Sequence, residues 1–183
     1  MLILNKNILT IGGNRLEGGP LTPPEPPEPP GPSDEVTIGT QTWKTNNLAI
    51  DDGGEGITII NNNYYYDRAA ARRIAETVEG WHLPTRDEWD TLIENAGGFN
   101  GLASTNSWTY GGGTNSSGFN ALPIGHITSS GTYDGEGFEA AFWSYTYKAV
   151  IIHYEGNNGF AETQLVQSKY LTQKCSVRLI KDT

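Results

Sequence analysis

The chain has 183 residues and a formal net charge of −9. An acid excess of this size is repelled by phosphate backbones and anionic bilayers, which sets aside nucleic-acid binding and membrane insertion. Apolar residues at 36% are enough for one core, and 23 glycines argue for short strands and long ordered loops over a helical bundle.

The chain divides into three stretches: residues 1–18, a linker over 19–35, and a globular part over 36–183. Asn5, Lys6 and Asn7 interrupt the apolar N-terminal residues and no basic run precedes them, so no secretory signal is expected. No apolar run reaches the roughly 20 residues of a membrane-spanning helix. Ile8-Leu-Thr-Ile11 alternates weakly and predicts a strand able to add to a partner's sheet edge. Eight of the ten prolines then lie between Pro20 and Pro32. Fixed φ and missing N–H donors predict polyproline II there, a semi-rigid spacer of roughly 40 Å. Such a spacer holds two bodies apart, so residues 1–18 are expected to attach to something.

In the globular part, Val36 to Trp43 predicts a hairpin with Gly39 near its turn. Ile57–Ile60 is a second strand candidate. Asp67 can cap a helix running to about Val78, with Ala70, Ile74 and Val78 on one face and Gly80 as its stop. Thr85 and Glu88 form a T-x-x-E capping box for a second helix. Trp89, Leu92, Ile93 and Ala96 give that helix a buried stripe, and Gly97-Gly98 end it. An irregular stretch to Phe119 follows. Further strands are predicted at 121–127, 140–147, 149–154, 159–167 and 176–180. Cys175 is the only cysteine. No intrachain disulfide or cysteine-based zinc site is available, and the residue reads as a small buried hydrophobe.

Several motifs stand in a fixed order: Ile38-Gly-Thr-Gln-Thr-Trp43 with Asn47-Leu48, Tyr65-Tyr66, Gly80-Trp-His-Leu-Pro-Thr-Arg-Asp-Glu-Trp89, Gly118-Phe-Asn-Ala-Leu-Pro123, Ala141-Phe-Trp-Ser144 and Ser176-Val-Arg178. In this order and spacing they resemble the Fibrobacter succinogenes major paralogous domain, over roughly residues 36–182. The resemblance implies an α+β, C-type-lectin-like fold with two helices, small antiparallel sheets and long ordered loops. It also implies kinship with formylglycine-generating enzymes and with the variable proteins of diversity-generating retroelements. In those variable proteins the changeable residues lie between a Trp-Ser motif and a closing Ser-Val-Arg-like strand, here Ser144 to Cys175. The chain departs from many relatives in placing Lys174-Cys175 before Ser176 and Leu179 after Arg178.

Individual polar residues read as structural. His82 has no partner cysteine, histidine or acid cluster nearby in sequence, so it is expected to be a hydrogen-bonded structural histidine. His126 stands in no motif. Asp87, Glu88 and Asp90 suit a helix N-terminus. Asp51, Asp52 and Glu55, like Asp134 and Glu136, lack the spacing of a calcium loop. No metal or cofactor is expected. One cysteine cannot supply a catalytic pair, so formylglycine-type oxidation is disfavoured.

The expected function is non-enzymatic receptor binding or adhesion. Exposed tyrosines bring large contact area at small entropy cost. The expected contacts are Tyr145, Tyr147, Lys148, Val150, Ile151, His153, Asn157, Asn158, Phe160, Glu162 and Gln164, with strand alternation expected to remove some of them. Trp143 is expected in the core. The resemblance, together with the short N-terminal piece and its spacer, points to a phage virion protein, a tail or head fibre. Its partners would be a host cell-surface receptor, glycan or protein, and a virion structural protein held through residues 1–18. Homotrimerisation is compatible with this. The alternatives are a bacterial cell-surface adhesin of the same family, a decoration protein with no ligand, and an oxidase of the formylglycine-generating kind.

Overall fold

The structure is a computed structural model that describes residues 8–11, 14–17, 34–146, 148–155, 158–165 and 173–183. The chain forms two units, Met1–Pro32 and Ser33–Thr183. In the first, β1 (Ile8–Ile11) pairs antiparallel with β2 (Asn14–Glu17), from Ile8 opposite Glu17 to Ile11 opposite Asn14. The predicted strand therefore has a partner within the chain. The proline-rich spacer lies outside the described residues.

Among the described residues the second unit is α+β, with three helices and several small sheets. It opens with β3 (Glu35–Ile38) and β4 (Gln41–Lys44), the expected hairpin turning at Gly39. Then β5 (Ile57–Ile60) pairs with β6 (Asn63–Tyr66). Asn61 and Asn62 form the turn at φ 50° and 63°, the positive values a two-residue hairpin loop requires.

Helix α1 (Arg68–Ala75) is capped by the Asp67 side chain on the Ala70 N–H and buries Ala70, Ala71, Ile74 and Ala75. It stops short of the expected Val78, because the chain tightens through Thr77 and Val78, whose N–H groups reach back to Ile74 and Ala75. After β7 (Trp81–His82), α2 (Arg86–Ala96) shows both arms of the capping box: the Thr85 hydroxyl accepts from the Glu88 N–H, and the Glu88 carboxylate accepts from the Thr85 N–H. Gly97 ends α2 in the left-handed conformation at φ 76°. A short α3 (Phe99–Leu102) follows inside the stretch read as irregular, burying Phe99 and Leu102.

Two sheets organise the rest. One is antiparallel in the order β3-β4-β13-β7, where β13 is Ile180–Lys181. The other has five strands, β8 (Ile124–Ile127), β9 (Tyr133–Glu136), β10 (Glu139–Trp143), β11 (Lys148–Glu155) and β12 (Asn158–Leu165), in the order β12-β11-β10-β8-β9. The expected strand over 140–147 ends at Trp143. The β8–β10 pairing is parallel, so this sheet is mixed where small antiparallel sheets were expected.

Strand β10 is buried from Ala140 to Trp143 because its two faces serve two apolar clusters. Ala140 and Phe142, with Ile152 of β11, join the first cluster beside Trp43, Trp89, Phe99, Leu102 and Phe119. Ala141 and Trp143 join the second with Tyr66, Ile74, Cys175, Val177 and Leu179. Trp143 is thus a core residue, and its indole N–H donates to the Tyr66 carbonyl at 2.6 Å. Among the described residues, no helix is long and apolar enough to cross a membrane.

Candidate functional site

Strand alternation sorts the residues that follow Trp143. Ile152 lies opposite Ala140 and is fully buried, while the adjacent position His153, opposite Glu139, is half-buried. On the neighbouring strand Gly159 backs onto α3, where a Cβ would come within 2.3 Å of the Phe99 ring. Phe160, the next residue, is 42% exposed. It lies opposite His153, with ring centroids 5.9 Å apart. One face of β11–β12 is therefore committed to the core, and the other carries an aromatic pair.

The eleven expected contacts fall into groups. Tyr145 is 48% exposed, Phe160 and Asn158 are exposed, and His153 is half-buried. Ile151 and Glu162 are register partners, at positions of the same parity as His153 and Phe160. Gln164, opposite Ala149, shares that parity. Lys148 and Val150 have the opposite parity, that of Ile152, and Val150 lies opposite the buried Phe142. Tyr147 and Asn157 lie outside the described residues.

Tyr145 lines a cleft of about 200 Å³ together with Arg72, Glu76, Trp81, His82 and Asp182. Its N–H donates to the Pro84 carbonyl at 2.7 Å. The Arg72 guanidinium lies 4.4 Å from the Tyr145 ring centroid and also donates to the Tyr145 carbonyl. Cation–π contact and hydrogen bond together fix where this aromatic stands. The sequence reading did not find Arg72 or Asp182, because one is 73 and the other 37 residues from Tyr145 and neither carries a local motif.

His82 is hydrogen-bonded, and its partners are acids. Nδ1 is 2.7 Å from Asp182 and Nε2 3.0 Å from Glu88. Burial alone disfavours the imidazolium; the hydrogen bonds to Asp182 and Glu88 outweigh it and raise the pKa above its ordinary 6.5. His126 Nδ1 sits 2.6 Å from Glu139, an ion pair poorly aligned for a hydrogen bond. Asp52 is engaged by Arg73 at 2.8 Å, and this pairing holds its carboxyl at about 2. Asp51, Asp52 and Asp134 cap nearby glycine N–H groups. Among the described residues, no group of three or more His, Cys, Asp or Glu side chains is placed to hold a metal ion. Cys175 is fully buried, and burial pushes its thiol pKa far up.

The segment carrying most of these residues begins and ends at neighbouring backbone in the core. The Trp143 N–H donates to the Ser176 carbonyl at 3.0 Å, and the Ser176 N–H donates to the Ala141 carbonyl at 3.0 Å. The Ala141–Ser144 and Ser176–Arg178 motifs are thus hydrogen-bonded neighbours, 32 residues apart in sequence when measured from Ser144 to Ser176.

Comparison with curated proteins and with solved structures yields no match. One family model does match, over residues 36–181, nearly the whole second unit. Its span includes the capping box, the Trp143–Ser176 anchor and the β11–β12 hairpin, and the chain belongs to this family, the Fibrobacter succinogenes major domain.

Proposed function

We propose that the chain is a non-enzymatic receptor-binding protein with a C-type-lectin-like scaffold, displaying the β11–β12 hairpin and Tyr145 as its contact surface. The observation that carries this reading is the anchor between Trp143 and Ser176. A segment whose two ends are hydrogen-bonded together in a buried scaffold, and whose first strand is paired along β10, can change its outward residues without moving the scaffold. The outward set includes Tyr145, Asn158 and Phe160, and exposed aromatics on a rigid base are efficient contact residues. Binding without covalent chemistry is favoured by the single cysteine, which is buried and far from its thiolate form.

In this reading the first unit, with its β1–β2 hairpin, attaches to a phage particle, and the proline-rich linker spaces the binding domain from it. The same surface would serve a bacterial adhesin, and mass spectrometry of purified virions separates the two settings. Binding itself is tested by flow cytometry of fluorescently labelled chain on a panel of bacterial cells. Staining of at least one strain is expected, lost in Tyr145→Ala/Phe160→Ala at unchanged melting temperature. Staining of no strain, or equal staining by the variant, overturns the proposal. A reverse-transcriptase gene beside an imperfect repeat of the DNA encoding Ser144–Cys175 would identify the source of diversity.

A further inference from the structure

We propose that a second site, the asparagine-lined pocket beside Tyr64, takes a single neutral sugar unit of a glycan. The pocket has a volume of about 190 Å³. It is built by the loop after β4, the β5–β6 turn and the loop around Asn120, with Arg178 behind it. None of its lining residues belongs to the Tyr145–Gln164 surface, so it stands apart from the contact face proposed above.

Its chemistry is unusual for this chain. Asn46, Asn47, Asn62, Asn63 and Asn120 all line it. Asn47 is spent on Arg178. The amides of the other four make no hydrogen bond within the protein among the described residues. Backbone conformation accounts for two of them: Asn62 and Asn120 have φ of 63° and 57°, where asparagine is tolerated better than most residues. Asn46 and Asn63 have no such constraint, and Asn63 is half-buried. An amide carries both donors and an acceptor, which is what a ring of hydroxyls needs.

The remaining lining is apolar. Leu48, Ala49 and Leu122 contribute, with Leu122 38% exposed. The Tyr64 ring stacks on Tyr66, centroids 6.4 Å apart. Tyr66 is itself fixed, its hydroxyl bonded to Leu48 and Ile50. A pyranose presents an apolar C–H face and a hydroxyl rim, and this pocket offers a partner for each.

Charge and size narrow the ligand. The chain holds 21 acidic residues, and none of the described ones lines the pocket. Its one cation, Arg178, is buried and bonded to Asn47 and three carbonyls. Neither a cationic nor an anionic ligand finds a free counter-charge. The volume is below the roughly 300 Å³ at which drug-sized pockets begin, so one small unit fits.

The test is saturation-transfer NMR of the full chain with the methyl glycosides of glucose, galactose, mannose and N-acetylglucosamine at about millimolar concentration. Transfer to the ring protons of at least one is expected. Asn46→Ala/Asn63→Ala should weaken it about tenfold or more with the melting temperature unchanged. Leu122→Trp, which fills the pocket from an exposed position, should do the same. Phe160→Ala should leave it intact. Absence of transfer from all four, or full transfer in both pocket variants, overturns the proposal. Loss with Phe160→Ala instead would assign the sugar to the β11–β12 face and likewise overturn it.

Discussion

Arg178 grips the Asn47 side chain with both ends of its guanidinium, Nε at 3.0 Å and Nη2 at 2.6 Å from the same amide oxygen. Its Nη1 donates to the carbonyls of Lys44, Thr45 and Phe119, and its Cζ lies 4.5 Å from the Phe119 ring centroid. Burial lowers its pKa from 12.5 to about 9, which leaves it cationic at neutral pH. The buried charge is thus dissolved in neutral acceptors. Arg178→Met would leave these acceptors without their donor, and a loss of about 3–5 kcal/mol is expected. Asn47→Ala should cost about 1–3 kcal/mol. Urea unfolding measures both. A Met variant within about 1 kcal/mol of the parent would contradict this account.

Gly159 and Phe160 should respond in opposite ways to the same substitution. Gly159→Ala drives a methyl into the Phe99 ring, and overpacking of this kind costs about 1–3 kcal/mol. Phe160→Ala removes an exposed ring and should stay within about 0.5 kcal/mol. Thermal unfolding of the two variants checks the alternation directly.

The Thr85–Glu88 box predicts a loss of about 1 kcal/mol for Thr85→Ala and little change for Thr85→Ser, read as a shift in denaturation midpoint.

Glu88 also faces His82, and the pair sets a pH dependence. The raised His82 pKa means that its contribution is present below the unfolded value of 6.5 and fades as pH rises through the folded value. Glu88 works in the other direction. Burial alone would raise its pKa, but hydrogen bonds from Thr85 and His82 lower it below 4.5. Its contribution is present above 4.5 and fades as pH falls through the folded value. The pair therefore stabilises most between 4.5 and 6.5. Stability against pH, measured by denaturant unfolding, should show this window, and His82→Gln should flatten its alkaline side. His126, raised above 6.5 because Glu139 outweighs its burial, adds in the same sense, so the flattening is partial.

Local signals were the readable ones. The two helix caps and the first hairpin could be placed from residues three to eight apart, because capping and turn chemistry act within one or two turns. What escaped depends on distant partners or weak patterns. Arg178 stood out only as part of a motif, since Asn47 is 131 residues away. Asp182 reaches His82 across 100 residues. Strand β9 was missed because Tyr133-Asp-Gly-Glu136 lacks apolar alternation. Helix α3 was missed because four residues are too few for periodicity, although the spacing of Phe99 and Leu102 was a hint. The β5–β6 turn was announced by Asn61-Asn62 and overlooked. For β11 and β12, the strands were legible but their parity was not. The Gly159 contact with Phe99 fixes which face turns inward, and no local feature of the sequence reveals it.

That contact also bears on inheritance. A lineage that keeps this scaffold while altering what it recognises cannot edit β11–β12 evenly. Positions in step with Ile152 and Gly159 should resist replacement, and those in step with Phe160 on the outer strand should drift, so divergence along β12 should rise and fall with every second codon.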